Sequence, residues 1–291
     1  MTQLGHQEHT DAEVELISSR ARSNCLRLGF GAGAVGAHFG PALSLIEVLA
    51  AALGTGFNAV PGDGDDPERD RLILSKGHGS LALYTVLHEY GFISKEQIRS
   101  FECDGGELPG QPIRNHALGI EFSSGSLGMG LSFGVGLSLS ARMTNSRRRV
   151  LVVMGDGETN EGSVWEAAMS AAHFQLNALT AIIDVNDMQS DGRTQDVLSY
   201  NHAGIWAGFG WDVIDVPDGH SIPQLRAALK RAPSSLQPRV LLAHTVKGKG
   251  VSFMEGNLDW HHGVLTGAQL EAALAELAST QGGARLDAPQ R

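Results

Sequence analysis

An aspartate set between two glycines, Gly155-Asp156-Gly157, is followed by Glu158 and, thirty positions after Asp156, by Asn186. Asp156 brings a carboxylate and Asn186 an amide oxygen, a pair suited to a hard cation. Mg2+ carrying a diphosphate fits best, because Mg2+ takes few protein oxygens and completes its octahedron with phosphate and water. The glycines admit a ligand to the backbone, and their N–H groups, with the start of the following helix, can meet phosphate charge. The flanking elements must place this pair. Val150 to Met154 is a short β-branched apolar run that predicts a buried strand, and Leu179 to Ile183 predicts a second. Between them, Ser163 to Phe174 carries helix formers such as Glu166, Ala167, Ala168 and Met169. In one such βαβ unit the strands are parallel neighbours, and Asp156 and Asn186 fall just past their carboxyl ends, where open α/β sheets bind ligands. A plainer alternative is a tight strand-to-helix turn followed by an unrelated polar loop; the spacing of one βαβ repeat favours the shared site.

The unit resembles the thiamine-diphosphate motif, which runs from Gly-Asp-Gly to an asparagine-containing loop. Over about residues 14 to 265 the chain resembles the amino-terminal half of a transketolase, of the kind encoded as a separate subunit. Several segments follow the family's order: Ala37-His38-Phe39-Gly40, Leu74-Ser75-Lys76-Gly77-His78, Leu108-Pro109-Gly110-Gln111-Pro112, Ser124-Gly125-Ser126-Leu127-Gly128 and Trp260-His261-His262-Gly263. Each is weak alone; their order is specific. The resemblance implies thiamine diphosphate and Mg2+ as cofactors, with Asp156, Asn186 and the backbone carbonyl of Met188 as metal ligands. It implies that Gly155, Gly157 and Glu158 form the cofactor-binding turn, that His78 touches the diphosphate, and that Gly125, Ser126 and Leu127 line the aminopyrimidine ring. Glu161 matches a glutamate of the carboxylate network between two cofactor sites. His38 matches a histidine facing the reacting carbons. The late motif has two histidines where the family often has one, so either His261 or His262 reaches the site. Histidines that exchange protons near neutral pH suit a reaction in which alkoxides form and collapse.

One position departs from the family. The histidine that contacts the donor's C1 hydroxyl end is Gln111 here. Glutamine still donates and accepts hydrogen bonds but carries no charge. Either it is a tolerated swap in a ketol-transferring enzyme, or the donor has changed, for instance to a 2-oxo acid such as pyruvate. The resemblance further implies an incomplete enzyme: a separate carboxyl-terminal subunit would supply the glutamate for the aminopyrimidine and the arginines for a sugar phosphate, with two copies of each chain. A non-catalytic binding subunit that kept the fold is a third reading, which the retention of His38, His78, Asp156 and Asn186 disfavours.

The rest of the chain agrees with one α/β domain. Its 291 residues are 42% apolar, and 22 basic against 32 acidic side chains give a net charge of −10, which argues against nucleic acid as partner. Cys25 and Cys103 lack metal-type spacing and suit a reducing cytoplasm. No apolar run reaches a membrane span, and no signal peptide is visible. Residues 1–11 are expected to be disordered, 12–280 to form a single cofactor-binding domain, and 281–291 to be a loose tail. Further strands are expected at 71–74, 213–216 and 240–245. Helices are expected from an Asp11 cap to about Arg27, and over 42–53, 81–90, 94–101, 127–142, 223–231 and 267–278. The class is therefore α/β with a mostly parallel sheet flanked by helices. The small-residue face of 127–142 is a candidate partner contact. Gly31-Ala32-Gly33-Ala34-Val35-Gly36 fits a dinucleotide fingerprint, but a polar helix precedes it where the fingerprint needs a strand. It is expected instead to be a flexible loop carrying His38. Lys247 and Lys249 form either an ordered loop over the site or a solvated turn.

Overall fold

The computed structural model describes residues 8–232 and 236–281. Five parallel strands, β1 (Arg71–Leu74), β2 (Val150–Gly155), β3 (Leu179–Val185), β6 (Asp212–Val216) and β7 (Arg239–His244), form one sheet in the order β1-β2-β3-β7-β6. A two-stranded hairpin, β4 (Met188–Gln189) and β5 (Gly192–Arg193), stands apart from it. β2 and β3 are direct neighbours, in register from Val150↔Leu179 to Gly155↔Asp184, as the βαβ spacing predicts. The hairpin is polar and too short to leave a periodic signal.

Alternate strand residues enter two cores, because successive side chains leave opposite faces of a strand. Leu72, Leu151, Val153, Ile182 and Leu241 join one core. It is covered by α1 (Asp11–Gly31), α2 (Phe39–Leu43), α3 (Ile46–Gly54), α4 (Ser80–Glu89) and the short α5 (Lys95–Ile98). Ile73, Val150, Val152, Ile183 and Val240 join the other. That face is covered by α6 (Met129–Met143), α7 (Gly162–His173) and, past the single-turn α8 (Thr194–Val197), by α9 (His202–Gly208) through buried Trp206. α10 (Ile222–Lys230) and α11 (Gly267–Gln281) return to the first face. Burial on both faces explains why β2, β3 and β7 read as largely apolar runs.

Several boundaries differ from the sequence expectation: α1 runs on to Gly31, and the helix expected over 94–101 is only Lys95–Ile98. Thr10, not Asp11, caps α1: its hydroxyl accepts from Glu13 N–H and the Glu13 carboxylate accepts from Thr10 N–H, a capping box. Asp11 and the His9 carbonyl are instead bound by Arg226. Residues 8–11 thus take defined positions, while 1–7 and 282–291 lie outside the described residues. The single helix expected over 42–53 is interrupted between α2 and α3, where the Ser44 hydroxyl turns to Pro41 O (3.1 Å) and to the Asp184 carboxylate (2.7 Å). α6 starts at Met129, because Gly128 sits at φ 78° and a Cβ there would lie 2.6 Å from Glu161 Cβ.

Candidate functional site

The carboxyl ends of adjacent strands converge on one turn. Asp156 follows β2 and Asn186 follows β3. One Asp156 oxygen accepts from Gly157 N–H (2.8 Å), the other from Asn186 N–H (3.2 Å) and Asp187 N–H (2.7 Å). Asp187 has φ 59°, and the Asn186 side-chain oxygen accepts from Met188 N–H at 3.2 Å. The carboxylate, the amide oxygen and the Met188 backbone are thereby held within one turn. Beneath them lies Asp184, wholly buried, accepting from Lys76 Nζ (2.6 Å), Ser44 Oγ (2.7 Å), Asn186 Nδ2 (3.0 Å) and the Thr245 hydroxyl. Burial pushes the Asp184 carboxyl up, but the Lys76 ammonium and the hydroxyl donors outweigh it and hold it below the usual carboxylate range. Asp156 is the opposite case: burial, then the neighbouring Asp184, push it up to about 6. Surplus negative charge in a buried turn is a setting that a cation would relieve. Among the described residues no cluster of three or more His, Cys, Asp or Glu side chains is placed to hold a metal. The donors here are one carboxylate, one amide and one carbonyl, a set that suits Mg2+ completed by non-protein oxygens.

This turn borders a pocket of about 350 Å3, lined also by Lys76, His78, Lys247 and His261. Lys247 is 2% exposed; its Nζ lies 3.4 Å from Met188 O and 2.9 Å from His261 Nδ1. Burial, then Lys76, push Lys247 down to about 8. His261 falls to about 3 through burial and Lys247, and His78 falls well below the usual imidazole value through burial and Lys76. The pocket combines two buried lysines with two imidazoles whose protonation burial and the lysines disfavour. His38 joins it to a second, smaller space. Its ring centroid lies 5.7 Å from His78, 5.6 Å from His261 and 4.6 Å from His262, and burial, then His262, push it down to about 4. The second space, about 150 Å3, is lined by His38, His262, Gln111, Ser80 and Glu102 among others. Its floor is fixed from α4: Ser80 Oγ donates to Gly110 O (2.7 Å) and the Tyr84 hydroxyl to Pro109 O (2.8 Å). A Cβ on Gly77 would collide with the Gln111 side-chain oxygen and the Ser124 hydroxyl. That glycine is what lets Gln111 approach the His78 loop. The Ser124 hydroxyl is buried there without a partner among the described residues.

Residues 26–282 match the family described as Transketolase, thiamine diphosphate binding domain. The chain belongs to the transketolase family. It is 39% identical, over 91% of its own length and 93% of the relative's, to an apulose-4-phosphate transketolase subunit from Phocaeicola vulgatus (strain ATCC 8482). It is 40% identical to the 6-deoxy-6-sulfo-D-fructose transketolase subunit SqwG of Clostridium sp. (strain MSTE9), over 82% of this chain and 88% of that one. A solved variant of the Pichia stipitis transketolase superposes on 90% of the chain with a TM-score of 0.81 at 27% identity, and the chain spans 40% of that longer protein.

Within this thiamine-diphosphate-binding domain, the structure gathers Gly155, Asp156, Gly157, Glu158, Glu161, Leu127, Asn186, Met188, His78 and His261 around the larger pocket. His38, Gln111 and His262 border the smaller one. The two late histidines are therefore divided between the pockets. Gly125 and Ser126 are exposed just ahead of Leu127. Glu158 faces inward and is occupied by Ser75 Oγ, Gly128 N–H (2.9 Å) and Gly155 N–H (3.1 Å), so its carboxylate braces the turn. The glycine-rich segment after α1 leads to Ala37, which exchanges backbone hydrogen bonds of 2.9 and 3.0 Å with Gly263, tying the His38 loop to the His261–His262 loop. Of the two candidate lysines, Lys247 is buried at the site and Lys249 pairs with Glu255 at 3.4 Å. Sequence reasoning missed Asp184, Ser44 and Thr245. A lone aspartate ending the apolar run Leu179–Val185 was the available signal, since a charge inside a buried strand needs a partner.

Proposed function

We propose that this chain is the diphosphate- and Mg2+-binding subunit of a two-component transketolase, with residues 12–280 as its cofactor-binding domain. The observation that carries this reading is the single turn in which Asp156, Asn186 and Met188 face a pocket floored by Lys76 and Lys247. Asp156, Asn186 and the Met188 carbonyl would hold Mg2+; His78, His261 and Lys247 would hold the diphosphate. Bound thiamine diphosphate would supply the electron sink for breaking a ketose carbon–carbon bond. His38 and His262, beside that position, would accept and return hydroxyl protons, and Gln111 would hydrogen-bond the donor's hydroxymethyl end. Near-complete coverage of relatives named as transketolase subunits supports a separate carboxyl-terminal partner and, through their names, sugar substrates; the assembly would hold two copies of each chain.

Gln111 favours one second reading, transfer of an acyl or ketol unit from another donor such as pyruvate. The test is donor cleavage by this chain co-expressed with its carboxyl-terminal partner, with thiamine diphosphate and Mg2+, comparing xylulose 5-phosphate and pyruvate, each with an aldose acceptor. Glyceraldehyde 3-phosphate release by the pair but not by the chain alone is the expected result. Pyruvate consumption without ketose cleavage would establish the second reading. Failure to bind thiamine diphosphate with the partner present would leave a non-catalytic binding subunit.

A further inference from the structure

The two pockets divide their charge unequally. Lys76 and Lys247 border the larger one, whereas among the described residues no lysine or arginine borders the smaller one. Around the smaller space stand an amide (Gln111), a hydroxyl (Ser80), two imidazoles (His38 and His262) and one carboxylate, Glu102. That carboxylate accepts no hydrogen bond and forms no ion pair among the described residues, although Glu102 is half-buried. It packs closely over the Gly110 backbone, where a Cβ would strike its oxygen, and thus sits beside Gln111. Glu102 itself has φ 51°, with its N–H tied to Leu108 O at 3.1 Å. A side chain held in the left-handed region persists where its surroundings over-determine it. The result is a carboxylate with no donor from the described residues, beside a space whose lining holds no cation to attract a phosphate.

We propose that Glu102 is a specificity-determining residue: its carboxylate accepts a hydrogen bond from the donor's terminal hydroxyl in the Gln111 pocket, so the enzyme takes hydroxylated two-carbon units and refuses a donor that presents a methyl group there. This rests on the transketolase reading. A carboxylate that a bound substrate covers discriminates more strongly than apolar contact, because a donor lacking the hydroxyl would shut off its water and leave it unpaired. Gln111 and Glu102 act together: the amide donates to the hydroxyl oxygen and the carboxylate accepts the hydrogen bond from its O–H.

Hydroxypyruvate and pyruvate differ by this one hydroxyl and are the probes. The complex of this chain with its carboxyl-terminal partner, loaded with thiamine diphosphate and Mg2+, is expected to prefer hydroxypyruvate in kcat/KM by at least about a hundredfold. Glu102→Ala is expected to narrow that preference at least about tenfold, chiefly through a higher KM for hydroxypyruvate, with cofactor affinity unchanged. The isosteric Glu102→Gln, which keeps the shape and loses the charge, is expected to narrow it about threefold and carries the test if the alanine variant fails to assemble. An unchanged preference in a cofactor-binding Glu102 variant, with wild-type complex cleaving xylulose 5-phosphate, overturns this inference alone. A wild-type complex that cleaves neither ketose nor hydroxypyruvate overturns both this inference and the transketolase reading.

Discussion

Asp184 holds the site from below. It is the counter-charge of Lys76 and the acceptor for Ser44, Thr245 and Asn186. Removing one member of a buried ion pair leaves the other charge uncompensated, at a cost of about 3–5 kcal/mol. Asp184→Asn is therefore expected to lower the unfolding free energy by about that amount and to loosen Asn186. Urea unfolding of the isolated chain measures the first effect, and a loss well under about 1 kcal/mol would show that Lys76 finds another partner. Asp156→Ala and Asn186→Ala should instead fold normally and abolish Mg2+-dependent cofactor binding by the assembled enzyme. Calorimetric titration with thiamine diphosphate decides this, and unchanged affinity in both variants would remove the proposed metal site. The imidazoles supply a pH dependence. His38 at about 4 and His261 at about 3 lie below their unfolded value of 6.5. Between those values the unfolded chain binds more protons, so stability falls as pH drops from 6.5 towards 4 and 3. The melting temperature of the cofactor-free chain should decline across that window, and His38→Gln should flatten the decline. An unchanged slope in His38→Gln would assign the acid sensitivity elsewhere.

Among the elements, α6 shows how glycine serves two purposes on one helix. A Cβ on Gly134 would lie 2.6 Å from Val152 Cγ2, so this glycine sets the close approach of α6 to β2. Gly136, little more than half a turn on, meets nothing within 4 Å. Gly134→Ala is expected to overpack the core and cost about 1–3 kcal/mol. Gly136→Ala is expected to stabilise the isolated chain by up to about 1 kcal/mol through helix propensity. Thermal unfolding of the two variants checks the pair. If the open face of α6 is the partner contact suggested by its small residues, Gly136→Ala should also weaken assembly while leaving the isolated chain intact. At the break between α2 and α3 the Ser44 N–H still bonds Gly40 O (3.3 Å), while its hydroxyl reaches the Asp184 carboxylate (2.7 Å).

For the whole molecule, a sheet buried on both faces leaves its carboxyl edge as the place where strand-end residues can meet a ligand. The site built there sets two lysines and two imidazoles around one pocket and Glu102, Gln111, His38 and His262 around the other. The described residues contain no helix long and apolar enough to cross a membrane. If the partner supplies the other side of the cofactor, the isolated chain should bind thiamine diphosphate at least about tenfold more weakly than the pair, because half the contacts are missing. Fluorescence titration with and without the partner measures this, and equal affinities would place the whole cofactor site on this chain.

Local pattern was enough to locate all five strands of the main sheet: four are largely apolar runs, and the edge strand β6 mixes acidic and apolar residues. The same pattern placed Asp156 and Asn186 at adjacent strand ends, because in-register parallel pairing carries a βαβ spacing directly into proximity. The order of the short motifs identified the family without any coordinate. Which charges are buried and paired was decided by the tertiary structure alone. Ser44 and Asp184 are 140 residues apart and Lys76 and Asp184 are 108 apart, and no periodicity reports contacts at such separations. The same holds for the division of His261 and His262 between two pockets and for the unpartnered Glu102 beside Gln111. Adjacent residues in a sharp turn point different ways, and the direction is set by what packs against them, here the Ala37–Gly263 bridge and the Lys247 ammonium.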